Sequence, residues 1–458
     1  MARLVIVSNR VPIPKSRGPA AGGLTVALKD ALIPGTVWFG WSGRTIPQTT
    51  HTPSLVEARG VLYATIDLNA SEFRHFYSEF SNRVLWPLFH FQAERLRFRR
   101  EDWRGYLSVN RTLAEVLKPM LEPDDLIWIH DYHLIPMGRF LRELGVRNRI
   151  GFFLHVPFVP ASVFRALPVA NELLSDFCHY DVIGFQTNEH VSDFADSVEH
   201  ILGATVGGSV AQINGRRAHL IACPVGIDPT AFARMARRAM TSTEARRLEE
   251  SLVGRALAIG VDRLDYSKGL PNRFEGIAGL FSRYPEHLRR VSFLQIIARS
   301  REEVDDYRRL RAELDGLAGH INGRFSDVDW VPLRYGARAI GRGALAGYYR
   351  IARIGLVTPL RDGMNLVAKE FIAAQDTDDP GVLVLSRFAG AADELTEALL
   401  VNPHDPDQIA DAIHLALVMS LKERRARHEV LLDKIYRTTA KTYFKCYLAA
   451  LRGSAGPN

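Results

Sequence analysis

The chain has 458 residues, 47% apolar and 24% charged, and a net charge of +7 from 58 Lys and Arg against 51 Asp and Glu. That composition belongs to a folded globular protein long enough for two cores, and it excludes a disordered or fibrous chain. No apolar run approaches the roughly 18 residues of a membrane helix, and no basic block with interleaved aromatics of the kind that grips nucleic acid appears.

Residues 1–10, "MARLVIVSNR", hold an apolar run too short for a signal peptide and read as a first β-strand. Further strands are expected at 126–129, 150–154, 182–185, 256–261, 291–297, 354–357 and 382–385, with the first at 4–7. Most are apolar on both faces, as in parallel strands buried between layers of helices. Their alternation with helical patterns over the whole length predicts an α/β, doubly wound architecture. The segment 222–232, "ACPVGIDPTAF", carries two prolines and a glycine after a strand and marks a domain boundary. The expected organisation is an N-terminal Rossmann-like domain over 1–232 and a second over 233–430. A C-terminal helix in 431–458 packs back on the first domain and ends in a disordered tail, "RGSAGPN". Three cysteines, Cys178, Cys223 and Cys446, odd in number and far apart, give neither a disulfide framework nor a zinc motif, and fit a reducing cytoplasm.

In open parallel sheets ligands bind outside the carboxyl ends of the strands, so polar residues at those ends are the candidates. Arg10 ends the first strand, and the following "AAGGL" leads into a helical pattern. Paired glycines there suit either a tight turn or the approach of an anion to a helix N-terminus. The aromatic run "FYSEFSNRVLWPLFHF" (76–91) reads first as core, with Tyr77 and Trp86 also suited to walling a sugar pocket. "IWIHDYHL" and "FFLHVPF" end apolar strands in His130, Asp131 and His155. His130, Asp131 and His133 invite a metal reading, but no further ligand cluster accompanies them. Contacts from Asp131 and His155 to a polyhydroxy ligand are the better reading. "VDRLDYSKGL" places Arg263 at a strand end and Lys268 five residues on, a planar fork and a mobile point charge suited to one diphosphate, or else a surface pair neutralised by Asp262 and Asp265. "TPLRDGMNLVAKEF" (358–371) delivers Asp362 to a strand end, follows it with a loop through Asn365, Leu366 and Val367 that opens a helix, and sets Glu370 on the first turns. This combination suits sugar hydroxyls, phosphate and ribose in turn. A capped helix with a solvated Glu is the alternative.

These motifs, with "VWFGWSG", "IGFQT", "VGIDP", "RSREEVDDY", "INGRF" and "VLVLSRFAGAADEL", resemble the trehalose-6-phosphate synthase family over residues 1–430. The resemblance implies a GT-B fold, two Rossmann-like domains with a deep cleft between them, and retaining transfer of glucose from a nucleotide sugar to glucose 6-phosphate without metal or other cofactor. It implies that Arg10, Tyr77, Trp86 and Arg301 hold the acceptor's phosphate and ring, and Asp131 its hydroxyls. Gly23, Arg263 and Lys268 would meet the donor diphosphate, and His155 and Asp362 the donor glucose. Backbone at Asn365, Leu366 and Val367 would meet phosphate, and Glu370 the ribose. The implied partners are the two substrates alone, with neither nucleic acid nor membrane, and a homo-oligomer stays open. Val159, Ser162 and Ile340 depart from the family pattern and leave the donor base among uridine, guanosine and adenosine. Related transferases with another phosphorylated acceptor, a pseudo-glycosyltransferase and a non-catalytic sugar-phosphate sensor are the rival readings. Retention with no second carboxylate in view argues against a covalent double displacement. The resemblance implies front-face return of the acceptor onto the departing diphosphate.

Overall fold

The apolar runs become strands because their side chains are buried on both sides: β1 (Leu4–Arg10) and β5 (Leu126–His130) are buried along nearly their whole length. A computed structural model describes residues 2–14, 28, 32–213, 215–298, 305–336 and 340–453. The chain forms two compact units. One comprises Met1–Pro224 with Ala440–Asn458, the other Val225–Thr439. The boundaries expected at 232/233 and 430/431 each fall inside a helix, Pro229–Ala239 and Leu421–Arg437. The tail expected at 452–458 is described only as far as Gly453. Among the described residues no helix is long and apolar enough to cross a membrane.

The first unit adds to these strands β2 (Val37–Thr45), β3 (Ser54–Ala58), β4 (Val61–Leu68), β6 (Arg149–Phe153), β7 (Val182–Phe185), β8 (Thr205–Gly207), β9 (Val210–Ile213) and β10 (Arg216–Ala222). Its sheet runs β3-β4-β2-β1-β5-β6-β7-β10-β9-β8, parallel from β4 to β10 and antiparallel at both margins. Strand order reverses between β1 and β5, the switch point at whose carboxyl strand ends ligands bind in sheets of this kind. The helix Ala440–Arg452 returns to this unit. Its Tyr447 stacks on Trp128 at 4.4 Å and donates to the carbonyls of Phe152 and Val182 at 3.0 and 3.3 Å. Gly151 and Gly184 make room for it: a Cβ on Gly184 would meet the Tyr447 ring at 2.7 Å, and one on Gly151 would collide with its hydroxyl.

Cys223 and Cys446 are joined by a disulfide, with Cys178 buried and free. The sequence expectation of no disulfide is corrected here. A separation of 223 residues carries no local signal, and the return of the last helix beside the exit of β10 creates the pair.

The second unit holds β11 (Ala256–Arg263), β12 (Val291–Ala298), β13 (Leu333–Gly336), β14 (Ile354–Val357), β15 (Val382–Ser386) and β16 (Leu399–Val401) in the order β13-β12-β11-β14-β15-β16. Every pairing is parallel and the order reverses between β11 and β14. This is the doubly wound dinucleotide-fold order. Buried Lys369 donates to both oxygens of Glu394 at 3.0 Å and to the Val225 carbonyl at 2.9 Å, while Thr438 donates to Glu394 at 2.5 Å. One ion pair thus ties together the start and the end of the unit. At the same place a Cβ on Gly226 would collide with the backbone of Thr438 and Thr439.

Candidate active site

In the first unit the strand ends next to the switch point are polar where the strands behind them are apolar. Arg10 leaves β1 exposed, across from Trp41, at a register shift. Its guanidinium lies over Gly43, whose φ is +87°, and a Cβ there would sit 2.5 Å from Arg10 Nε. Trp41 packs on Tyr77 at 5.7 Å between centroids, and Tyr77 stacks on His133 at 5.7 Å with the planes 10° apart. Tyr77 lies on Phe73–Leu85, a stretch wound as a π-helix in which the Trp86 N–H reaches back to the Ser81 carbonyl. Such wide turns are rare and cluster at functional positions. Trp86 is buried against His90 and Tyr132, the residue after Asp131, at 4.0 and 5.8 Å. Arg10, Tyr77, Trp86 and Asp131 are therefore linked through Trp41, His133 and Tyr132.

Asp131 follows β5 with φ 77° and ψ 162°, a conformation that normally belongs to glycine and costs about 1–3 kcal/mol. The backbone N–H of Asp131 donates to Phe153, and its carboxylate accepts from the His155 N–H at 3.3 Å. Strain at a carboxylate on a strand end is held in place by this cross-strand bracing. The His155 ring shares hydrogen bonds with His130 Nδ1 at 3.0 Å and with Gln186 Nε2 at 3.3 Å. Burial pushes the His155 imidazole down to about 3, and burial together with His155 pushes His130 well below its usual value. Both rings are neutral at physiological pH. A chain Gln186–His155–His130 then needs one proton per imidazole, handed in one direction.

In the second unit the corresponding reversal lies between β11 and β14. Arg263 ends β11 half-exposed, 3.8 Å from Asp265. Asp265 caps the turn Tyr266–Lys268 by accepting from the Ser267 N–H. Gly269 then takes a left-handed conformation and starts the helix Leu270–Arg283. That turn aims Lys268 at Asp362, with Nζ 2.5 Å from Oδ2, and Asn365 Nδ2 donates to the same oxygen at 3.1 Å. Asn365 stands at φ 79° immediately before the helix Leu366–Ala374, without a side-chain cap on that helix. Leu366 and Val367 thus present the unpaired N–H groups of a helix start, where the dipole favours an anion. Asn365 Oδ1 is buried with no hydrogen-bond partner among the described residues.

Glu370 is held by Arg342 at 3.2 Å, and burial raises its carboxyl against the opposing pull of that guanidinium. Behind the strand ends, fully buried Arg273 donates to Asp262, Thr358 and Gln295, bracing β11, β12 and the exit of β14. Ile340 packs against the hydrophobic core of this unit.

The structure thus joins Arg10, Tyr77, Trp86, Asp131 and His155 at one set of strand ends and Lys268, Asp362 and Asn365 at another. Arg263 and Glu370 stand beside the latter with their own partners. Gly23 and Arg301 lie outside the described residues. Gln186, Arg342, Gly43 and Arg273 escaped sequence reasoning. Each acts through a residue far away in the chain, and only Gly43, one of two glycines in "FGWSG", carries a local signal. His130, Asp131 and His133 do not converge as a metal-ligand group; His130 points at His155.

Two parallel-sheet units, the second with a helix start and a lysine–carboxylate pair at its switch point, define a glycosyltransferase of the GT-B fold. Residues 3–453 match the pattern of glycosyltransferase family 20. A trehalose-6-phosphate synthase of Sinorhizobium fredii is 45% identical over 460 residues, 99% of either chain. The crystal structure of an alpha,alpha-trehalose-phosphate synthase (UDP-forming) from Burkholderia vietnamiensis matches with a TM-score of 0.96 at 45% identity, over 99% of this chain and 97% of that one. Another UDP-forming synthase, from Burkholderia xenovorans in complex with glucose-6-phosphate, matches with a TM-score of 0.96 at 43% identity, over 99% and 100%. The chain belongs to glycosyltransferase family 20.

Proposed function

We propose that the protein transfers glucose from UDP-glucose to the anomeric hydroxyl of glucose 6-phosphate with retention, releasing trehalose 6-phosphate and UDP. The observation that carries this reading is the Lys268–Asp362–Asn365 cluster at an uncapped helix start, within a chain whose relatives are UDP-forming trehalose-phosphate synthases. Lys268 and Arg263, with Gly23 and the N–H groups of Leu366 and Val367, neutralise the diphosphate as the glycosidic bond breaks. Asp362, Asn365 and His155 orient the donor glucose, and Glu370 accepts from the ribose. Arg10 and Arg301 hold the acceptor phosphate, Tyr77 and Trp86 its ring face, and Asp131 its hydroxyls.

The chemistry asked of the side chains is charge stabilisation and orientation. As the C1–O bond to UDP breaks, a β-phosphate oxygen takes the proton of the attacking hydroxyl on the same face. The new bond then forms where the old one was. Cationic side chains meet the charge that a metal covers in other transferases. Substrates of this kind place the reaction in the cytoplasm, with no nucleic acid or membrane partner.

One assay tests the reading: UDP-, GDP- and ADP-glucose, each with glucose 6-phosphate and with glucose, the product's anomeric configuration read by NMR. The expected result is an α,α-linked phosphodisaccharide, fastest from UDP-glucose and nearly absent with unphosphorylated glucose. Transfer to glucose and glucose 6-phosphate at equal rates, or a β-linked product, would refute it.

A further inference from the structure

Outside the strand-end residues, one cluster of metal-ligating side chains stands out. Among the described residues a single group of three or more His, Cys, Asp or Glu brings its ligand atoms within 4.8 Å of one another: Glu286, His287 and His414. It sits at the carboxyl end of the helix Leu270–Arg283, whose amino end follows Lys268. Fourteen residues at 1.5 Å each put about 20 Å between the two. The cluster is therefore separate from the diphosphate contacts.

Its geometry is built by close packing. The helices Leu270–Arg283 and Pro406–Val418 approach through Gly276, where a Cβ would meet Ile409 Cγ2 at 2.7 Å. Tyr284, just past the first helix, stacks on the His414 ring at 3.9 Å with planes 10° apart and donates its hydroxyl to Asp411 at 2.8 Å. This fixes the imidazole's plane. The turn Pro285–His287 is closed by the His287 N–H on the Tyr284 carbonyl, and it delivers His287, buried, beside His414. His287 Nε2 stands 2.8 Å from His414 Nδ1, and Glu286 Oε1 stands 3.8 Å from the same nitrogen.

We propose that Glu286, His287 and His414 form a binding site for a zinc-class divalent cation that clips the turn Pro285–His287 to the helix Pro406–Val418. Two imidazoles and a carboxylate are the ligand set of a borderline metal, with zinc, cobalt and nickel favoured over magnesium or calcium. At Zn–N distances of about 2.0–2.1 Å, tetrahedral geometry sets ligand atoms about 3.3 Å apart. The two nitrogens need separate by only about half an ångström, and Glu286 Oε1 needs to close on His414 Nδ1 by a similar amount. The half-exposed carboxylate leaves a fourth position open to water. Nearby, Arg283 is paired with both Asp407 and Asp411, which leaves one negative charge in excess beside the site.

The test uses the untagged, EDTA-stripped full chain. Zn2+ titration by calorimetry, Co2+ visible absorption and thermal melts with and without Zn2+ are compared between wild type and His414→Gln, with UDP binding as a control. The expected result is one Zn2+ per chain, a higher melting temperature with Zn2+, a tetrahedral Co2+ band, and at least about 10–100-fold weaker binding in the variant. UDP affinity should stay unchanged. Should His414→Gln fail to fold, Glu286→Gln, altered only at an exposed carboxylate, decides by the same readings. No binding at millimolar Zn2+, or binding that both variants retain in full, would overturn the site and leave a plain hydrogen-bonded histidine pair.

Discussion

The ammonium of Lys268 lies 2.5 Å from the Asp362 carboxylate although 94 residues separate them. The pair joins the turn after β11 to the exit of β14 across the switch point, and Asn365 completes it. On the proposed reading, a donor diphosphate entering there would take over Lys268 as its counter-ion and leave Asp362 free for sugar hydroxyls. Lys268→Ala removes a charge-assisted hydrogen bond of about 1.5–3 kcal/mol, so kcat/KM should fall by about one to two powers of ten. Arg263→Ala should lose a similar amount. Because Arg263 is half-exposed and Lys268 is buried against Asp362, only the Lys268 variant should also lower the melting temperature. Steady-state kinetics with melting curves check both; wild-type turnover in either variant takes that residue out of diphosphate stabilisation.

Asp131 carries backbone strain at a position proposed to meet the acceptor. Asp131→Gly relieves the φ of 77°, whereas Asp131→Ala keeps it. The glycine variant should be more stable than the alanine variant by about 1–2 kcal/mol, strain relief exceeding the entropy lost on ordering a glycine. Both should lose acceptor turnover. Urea denaturation alongside kinetics measures this, and equal stability of the two variants would mean that the conformation relaxes without cost.

His155 stays neutral in the folded state down to about pH 3, against an ordinary value of 6.5. Between these values the unfolded chain binds the extra proton, so stability from His155 is complete above pH 6.5 and falls as pH drops below it. From pH 7.5 to 5 the loss is about 2 kcal/mol. Asp176, pushed up to about 6 by burial despite Arg139, acts in the opposite sense over part of this range. The quantity to measure is therefore the difference between wild type and His155→Gln. The variant's disadvantage should shrink on acidification, and a constant difference would show a titrating ring.

On the proposed reading cationic side chains and a helix start meet the diphosphate, so exhaustive EDTA treatment should leave glucosyl transfer intact. Any zinc lost from Glu286, His287 and His414 should show in the melting temperature and not in turnover. Activity abolished by chelation and restored by magnesium would move the metal into the reaction.

The Cys223–Cys446 crosslink closes a loop of more than two hundred residues, for which chain-entropy arguments give about 5 kcal/mol. Dithiothreitol should lower the thermal midpoint of the wild type and leave Cys223→Ser unchanged. In a reducing cytoplasm the two would stand as adjacent reduced thiols. An unaltered wild-type midpoint would mean that burial of Tyr447 against β6 and β7 already holds the last helix.

The strands at the centre of both sheets were legible in the sequence because a strand buried on both faces must be apolar throughout, and that pattern is local. The polar strand ends were legible for the same reason: Arg10, Asp131, Arg263 and Asp362 interrupt apolar runs where solvent or ligand must be met. Strands near the sheet margins were not. β3 exposes most of its residues, β8 and β9 are three and four residues long, and β2 is broken by Gly40 and Gly43. The remainder belongs to tertiary structure alone. No window of sequence holds Lys268 with Asp362, Lys369 with Glu394, His287 with His414 or Cys223 with Cys446. These pairs exist because strand order reverses and the last helix returns to the first sheet, so residues more than twenty positions apart, and in one case 223, come within bonding distance.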